Sequence, residues 1–149
     1  MKKIQLLAFY LVLLTLFACG DTKLLVDIDE EKSQGEVFEL RPSQSVDIKK
    51  TLLSLSFTKV TEGRCPQGTS CVWAGEGKVI LKAKHDQEIE EFILIAKGLC
   101  DDAEAKCGQV KNFRGYDIEL ISLSPYPQEG KKITANEYVA KLKVTKGAM

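Results

Sequence analysis

From residue 36 onward, apolar and polar positions mostly alternate with period two, the repeat of a strand that buries one face. Phe38 and Leu40 share a face over 36–41, and Val46 and Ile48 share one just before Lys49-Lys50. Leu53, Leu55 and Phe57 alternate with Ser54, Ser56 and Thr58, the clearest half-buried strand in the chain. Val79, Leu81 and Ala83 then alternate with Lys78, Lys82 and Lys84, and a turn at His85-Asp86-Gln87 leads into a strand over 89–95. Two more strands are predicted, one over 118–123 and one through Tyr138, Ala140, Leu142 and Val144 with Lys141 and Lys143 facing out. Short strands at this spacing, with no sustained helical period, predict an all-β fold: a single small antiparallel β-sandwich or barrel-like domain. The stretches 61–77 and 97–115 show no such period and are expected to be irregular.

The N-terminus follows a different pattern. Lys2 and Lys3 precede an apolar run over 4–18 that only Gln5 and Thr15 interrupt, the layout of a secretory signal. The run is shorter than the roughly 20 apolar residues that a membrane-crossing helix needs. Leu16-Phe17-Ala18-Cys19 resembles the lipobox of bacterial lipoproteins. That resemblance implies cleavage before Cys19, acylation of its thiol and of the new amino group, and anchoring in membrane lipid. The organisation expected is a signal peptide over 1–18, a lipidated cysteine with a polar tether over 19–35, and a β-rich domain over 36–149. The expected address is the bacterial cell envelope, at the outer membrane, although Asp21 matches an inner-membrane retention signal used by some enteric bacteria.

Composition changes this picture little. A hydrophobic share of 44% with 28% charged residues is that of an ordinary folded domain, neither disordered nor an integral membrane bundle. Formal charge is zero over the 149 residues. Losing Lys2 and Lys3 with the signal tips the balance slightly acidic, so nucleic acid is not an expected partner. No nucleophile elbow, HExxH, P-loop or dinucleotide fingerprint occurs. The one histidine, His85, falls in a predicted turn and reads as solvated surface. These observations predict no catalytic residue, no metal and no cofactor.

Four cysteines remain after Cys19, in two local pairs: Cys65 with Cys71, and Cys100 with Cys107. In an exported chain an even number reads as disulfides, with three pairings open. Local pairing is favoured, because each pair would close a loop that turn residues already bend. Each loop would remove about 2.4 kcal/mol of denatured-chain entropy. A zinc site from the same thiols is the competing reading. Intervals of five and six residues are, however, wider than those usual in structural zinc half-sites. Asp101, Asp102 and Glu104 cluster in the second loop without the spacing of a calcium-binding loop.

Arg64-Cys65-Pro66-Gln67-Gly68-Thr69-Ser70-Cys71-Val72-Trp73-Ala74-Gly75, with Leu123-Ser124-Pro125-Tyr126-Pro127 and the final strand, resembles small secreted bacterial lipoproteins of uncharacterised function. The resemblance implies a lipoprotein with a β-rich domain and brings no activity with it. Physically, the first motif is a stapled turn followed by the only tryptophan. Trp73 is expected to plug one end of the sandwich, with stacking on a sugar or peptide as the alternative. Arg64 is expected to form a surface bridge, to Glu76 or to a ligand carboxylate. Tyr126, between two prolines, is a second aromatic candidate on a stiff turn. The candidate binding residues are therefore Arg64, Trp73, Glu76 and Tyr126. The function expected is non-catalytic binding of an envelope protein or surface polysaccharide by a membrane-anchored, stapled β-domain. Two alternatives stand beside it: an inhibitor or immunity-type lipoprotein that inserts a rigid loop into an enzyme, and a small hydrolase whose carboxylates meet only on folding.

Overall fold

The computed structural model describes residues 24–26, 35, 37–98 and 109–147. Among them, nine strands run in chain order: β1 (Leu24–Val26), β2 (Val37–Leu40), β3 (Ser45–Ile48), β4 (Leu53–Thr61), β5 (Glu76–His85), β6 (Glu88–Lys97), β7 (Val110–Phe113), β8 (Tyr116–Ser124) and β9 (Val139–Lys146). A short 3-10 turn at Ala135–Glu137 precedes β9. One sheet has the order β1-β3-β4-β5-β6 and the other β2-β9-β8-β7. Every pairing is antiparallel except that of β1 with β3. The architecture is an open β-sandwich and not a closed barrel.

The alternation read from the sequence is what fills the space between the sheets. Val46, Leu55, Phe57, Val79, Leu81 and Ala83 point inward from the first sheet and meet Ile118, Leu120, Leu142 and Val144 from the second, all essentially inaccessible to water. Burying a side chain of this size contributes about 1.5–3 kcal/mol relative to leaving it exposed. Two-residue turns close the hairpins β5–β6 and β7–β8. Asp86 takes a positive φ of 55° in the first, and Arg114 and Gly115 take 52° and 79° in the second, the backbone that tight hairpins require.

Two elements fall where none was expected. β7 lies inside the stretch 97–115, and β1 lies inside the 19–35 tether, where Leu24 registers with Val46 and Val26 with Ile48. The register shifts between Phe57 and Lys59 in β4, and between Leu120 and Ser122 in β8. Each bulge places the next inward residue three positions on, at Val60 and Leu123, so the alternation resumes out of phase near the same end of the sandwich. Cys19, Cys100 and Cys107 lie outside the described residues, as do the signal peptide and the proposed 100–107 loop.

Candidate functional site

Beyond that end, the segment 62–75 folds over the edge of the core and is pinned from several directions. Cys65 and Cys71 are disulfide-bonded, which takes two of the four thiols away from any zinc set. The Cys65 N–H donates to the Ala74 carbonyl at 2.8 Å, bringing the two limbs of the loop together. Gln67 lies alongside Gln128: its N–H donates to the Pro127 carbonyl, and its own carbonyl accepts from the Glu129 N–H, both at 2.9 Å. Thr69 turns the tip, with its hydroxyl donating to the Pro66 carbonyl at 2.7 Å. Gly75 sits at φ 68°, and a Cβ there would lie 2.0 Å from the Gly63 carbonyl oxygen. Gly98, whose N–H donates to the Gly75 carbonyl at 2.9 Å, is similarly hemmed in by Ala74. These contacts need residues without side chains, which is the physical reason for glycine at 75 and 98.

The anchor of the loop is Arg64. Expected on the surface against Glu76, it is instead only 6% exposed, and its carboxylate partner is Glu62. Its Nε donates to both oxygens of Glu62, at 2.9 and 3.1 Å, and its Nη2 donates to Oε2 as well. The remaining donors reach the second sheet: Nη1 to the Leu123 carbonyl at 2.8 Å and Nη2 to the Pro125 carbonyl at 3.2 Å. The guanidinium lies over the Tyr126 ring, 4.6 Å from its centroid. Five donors in a planar fork suit this set of acceptors, and a lysine could not reproduce it. Glu62 also accepts from the backbone N–H groups of Gly63 and Arg64, and the Tyr138 phenol lies near enough to act on its ionisation.

Burial pulls the Glu62 carboxyl upward, yet the hydrogen bonds and charge of Arg64, with the Tyr138 phenol, outweigh it and hold the group below its ordinary value. Tyr138 moves the other way. Burial, together with the charge of Glu62, pushes its phenol up to about 12. Arg64 thus joins the two sheets beneath the loop, and Tyr126, half-buried, lies against its guanidinium.

Trp73 corrects the other expectation. It plugs nothing: the side chain is 78% exposed, and Val72 beside it is fully exposed. At this end the loop turns Arg64 inward, where its donors find acceptors in Glu62 and the Leu123 and Pro125 carbonyls, while Trp73 projects into water. Trp73 lines an open groove of about 540 Å³ together with Thr61, Gly63, Gly75, Glu76, Lys78 and Lys97. Glu76 pairs with Lys78 at 3.6 Å, on the surface. His85, expected as free surface, is half-buried at the far end of β5, with its ring 5.8 Å from that of Tyr116.

Of the four candidate binding residues, Trp73 and Glu76 line one groove, Arg64 is buried beneath the loop, and Tyr126, half-buried, lies against the Arg64 guanidinium. Sequence reasoning missed Glu62, Tyr138, Val72, Lys78 and Lys97. The sequence holds a signal for Glu62 alone, a carboxylate two residues before Arg64. Compared with protein-family models, curated proteins and solved structures, the chain matches none.

Proposed function

We propose that this protein is a non-catalytic lipoprotein of the bacterial cell envelope, anchored through Cys19, whose stapled loop holds Val72 and Trp73 out to a partner protein. The observation that carries this reading is the contrast within a few residues of chain. Trp73 stands in water on a loop fixed by a disulfide, a buried guanidinium and backbone bonds to two neighbouring segments. Holding an indole in water gives the fold nothing. A pre-ordered loop spares the conformational cost of binding, and tryptophan is the residue most enriched where partners bind tightly. A second reading, a surface polysaccharide, is favoured by the groove itself, where an aromatic wall meets hydroxyl, ammonium and carboxylate groups of Thr61, Lys78, Lys97 and Glu76.

The test is a photo-crosslinking amino acid placed at Val72 in intact envelopes. The expected result is one cross-linked protein, with its affinity falling about 30-fold or more in Trp73→Ala. Adducts that resist protease would select the polysaccharide. No adduct, or one indifferent to Trp73→Ala, overturns the reading. The anchor is tested separately: Cys19→Ser should leave the detergent phase, and a processed Cys19→Ser protein that stays there overturns the anchor.

A further inference from the structure

We infer that the outer face of β4, β5 and β6 lies against anionic lipid headgroups, an orientation that goes beyond the loop contact proposed above and excludes the polysaccharide reading, whose Thr61, Lys78 and Lys97 belong to this face. The registers place the outward positions in rows across the three strands: Ser54, Lys84 and Ile89; Ser56, Lys82 and Glu91; Lys59, Ile80 and Ile93; Thr61, Lys78 and Ile95. With Lys97 the face carries five lysines against two glutamates, Glu76 and Glu91, and one of those two is paired with Lys78. Between the lysines sit aliphatic side chains that a solvated sheet face does not need: Ile89 is 56% exposed and Ile93 51%. The outer face of the second sheet is built differently. There Glu39, Asp117 and Glu119 outnumber Lys141 and Lys143.

An array of ammonium groups interleaved with isoleucine has the chemistry of an interfacial surface. The lysine stems and isoleucines sink toward the acyl boundary, and the ammonium groups pair with phosphates. Each lysine close to an anionic leaflet strengthens association roughly five-fold. β1 adds geometry, because the chain from a lipidated Cys19 to Leu24, already paired with β3 in this same sheet, can span no more than roughly 18 Å. An anchor on so short a leash keeps this sheet within reach of the bilayer.

The experiment is amine footprinting of the lipidated protein in vesicles of phosphatidylcholine, alone or mixed with phosphatidylglycerol, with Lys141 and Lys143 as internal controls. The expected result is a several-fold drop in labelling of Lys82 and Lys84 on the mixed vesicles, reversed by high salt, with the controls unchanged. Equal labelling on both vesicles, or protection of Lys141 and Lys143 instead, overturns the inference. In Lys82→Gln/Lys84→Gln, substituted at exposed positions, Lys59 and Lys78 should regain labelling on the mixed vesicles; continued protection overturns it. If the chain carries no acyl group, pelleting with the same vesicles reads the face directly. Retention by anionic vesicles alone, weakened about 25-fold in the double variant, supports the inference, and retention indifferent to lipid charge overturns it.

Discussion

Where β4 and β8 leave their sheets, a buried guanidinium joins Glu62 to the carbonyls of Leu123 and Pro125, and a disulfide staples the loop above it. At the other end, where β5 turns into β6 and β7 into β8, the sheets are joined across their edges by Lys111 with Glu90 at 2.9 Å and by Arg114 with Glu88, all in contact with water. The same charge chemistry has opposite consequences at the two sites. In water an ion pair contributes about 0–1 kcal/mol. A partly buried pair costs desolvation to form, and losing one partner leaves the other stranded, at about 3–5 kcal/mol. The rigid end is also the end that presents Trp73.

Arg64→Ala carries the largest expected cost, because it strands Glu62 and two carbonyls. Urea unfolding followed by circular dichroism should show a loss of about 3–5 kcal/mol. Reducing the Cys65–Cys71 bond comes next, at about 2.4 kcal/mol by the same measurement.

The rigid end responds to both acid and alkali. The Glu62 carboxyl is depressed below its ordinary 4.5, so its contribution is fully present above that value and lost as pH falls through the folded value. Tyr138 is raised from 10.0 to about 12, so its contribution is full below pH 10 and lost between there and about pH 12. Stability measured across the acid range should fall less steeply in Glu62→Gln, and the late tyrosine ionisation of Tyr138, followed by ultraviolet titration, should be missing in Tyr138→Phe. At the solvated end, Arg114→Ala should cost no more than about 1 kcal/mol, and the cost should shrink with salt. Trp73→Ala should be smallest of all, within about 0.5 kcal/mol of the parent, although it weakens the proposed contact about 30-fold or more.

Much of the fold was legible because period-two alternation is a local signal. Leu53, Leu55 and Phe57 announce a buried face without reference to any partner. β7 escaped because its four residues hold a single buried side chain, Phe113, too few to show a period. β1 has only three residues and gains its meaning from β3, a pairing that spacing does not encode. The candidate site was half legible. The motif from Arg64 to Gly75 marked the right loop, but which member faces inward depends on Leu123 and Pro125, some sixty residues away. Arg64 lies inward because it finds acceptors for its donors there. The lysine rows were visible as alternation within β5 alone; aligning them with Lys59, Lys97 and the isoleucines of β6 required the registers.

The exposure of Trp73 also decides how this protein can be watched. An indole that stands in water before and after unfolding changes its emission little, so denaturation followed at the tryptophan would trace a nearly flat line through the transition. The same isolation makes that fluorescence a clean reporter of whatever settles on the loop, while the buried Tyr138 and the backbone signal report on the fold. One chain thus carries two optical channels with little crosstalk, one for stability and one for recognition.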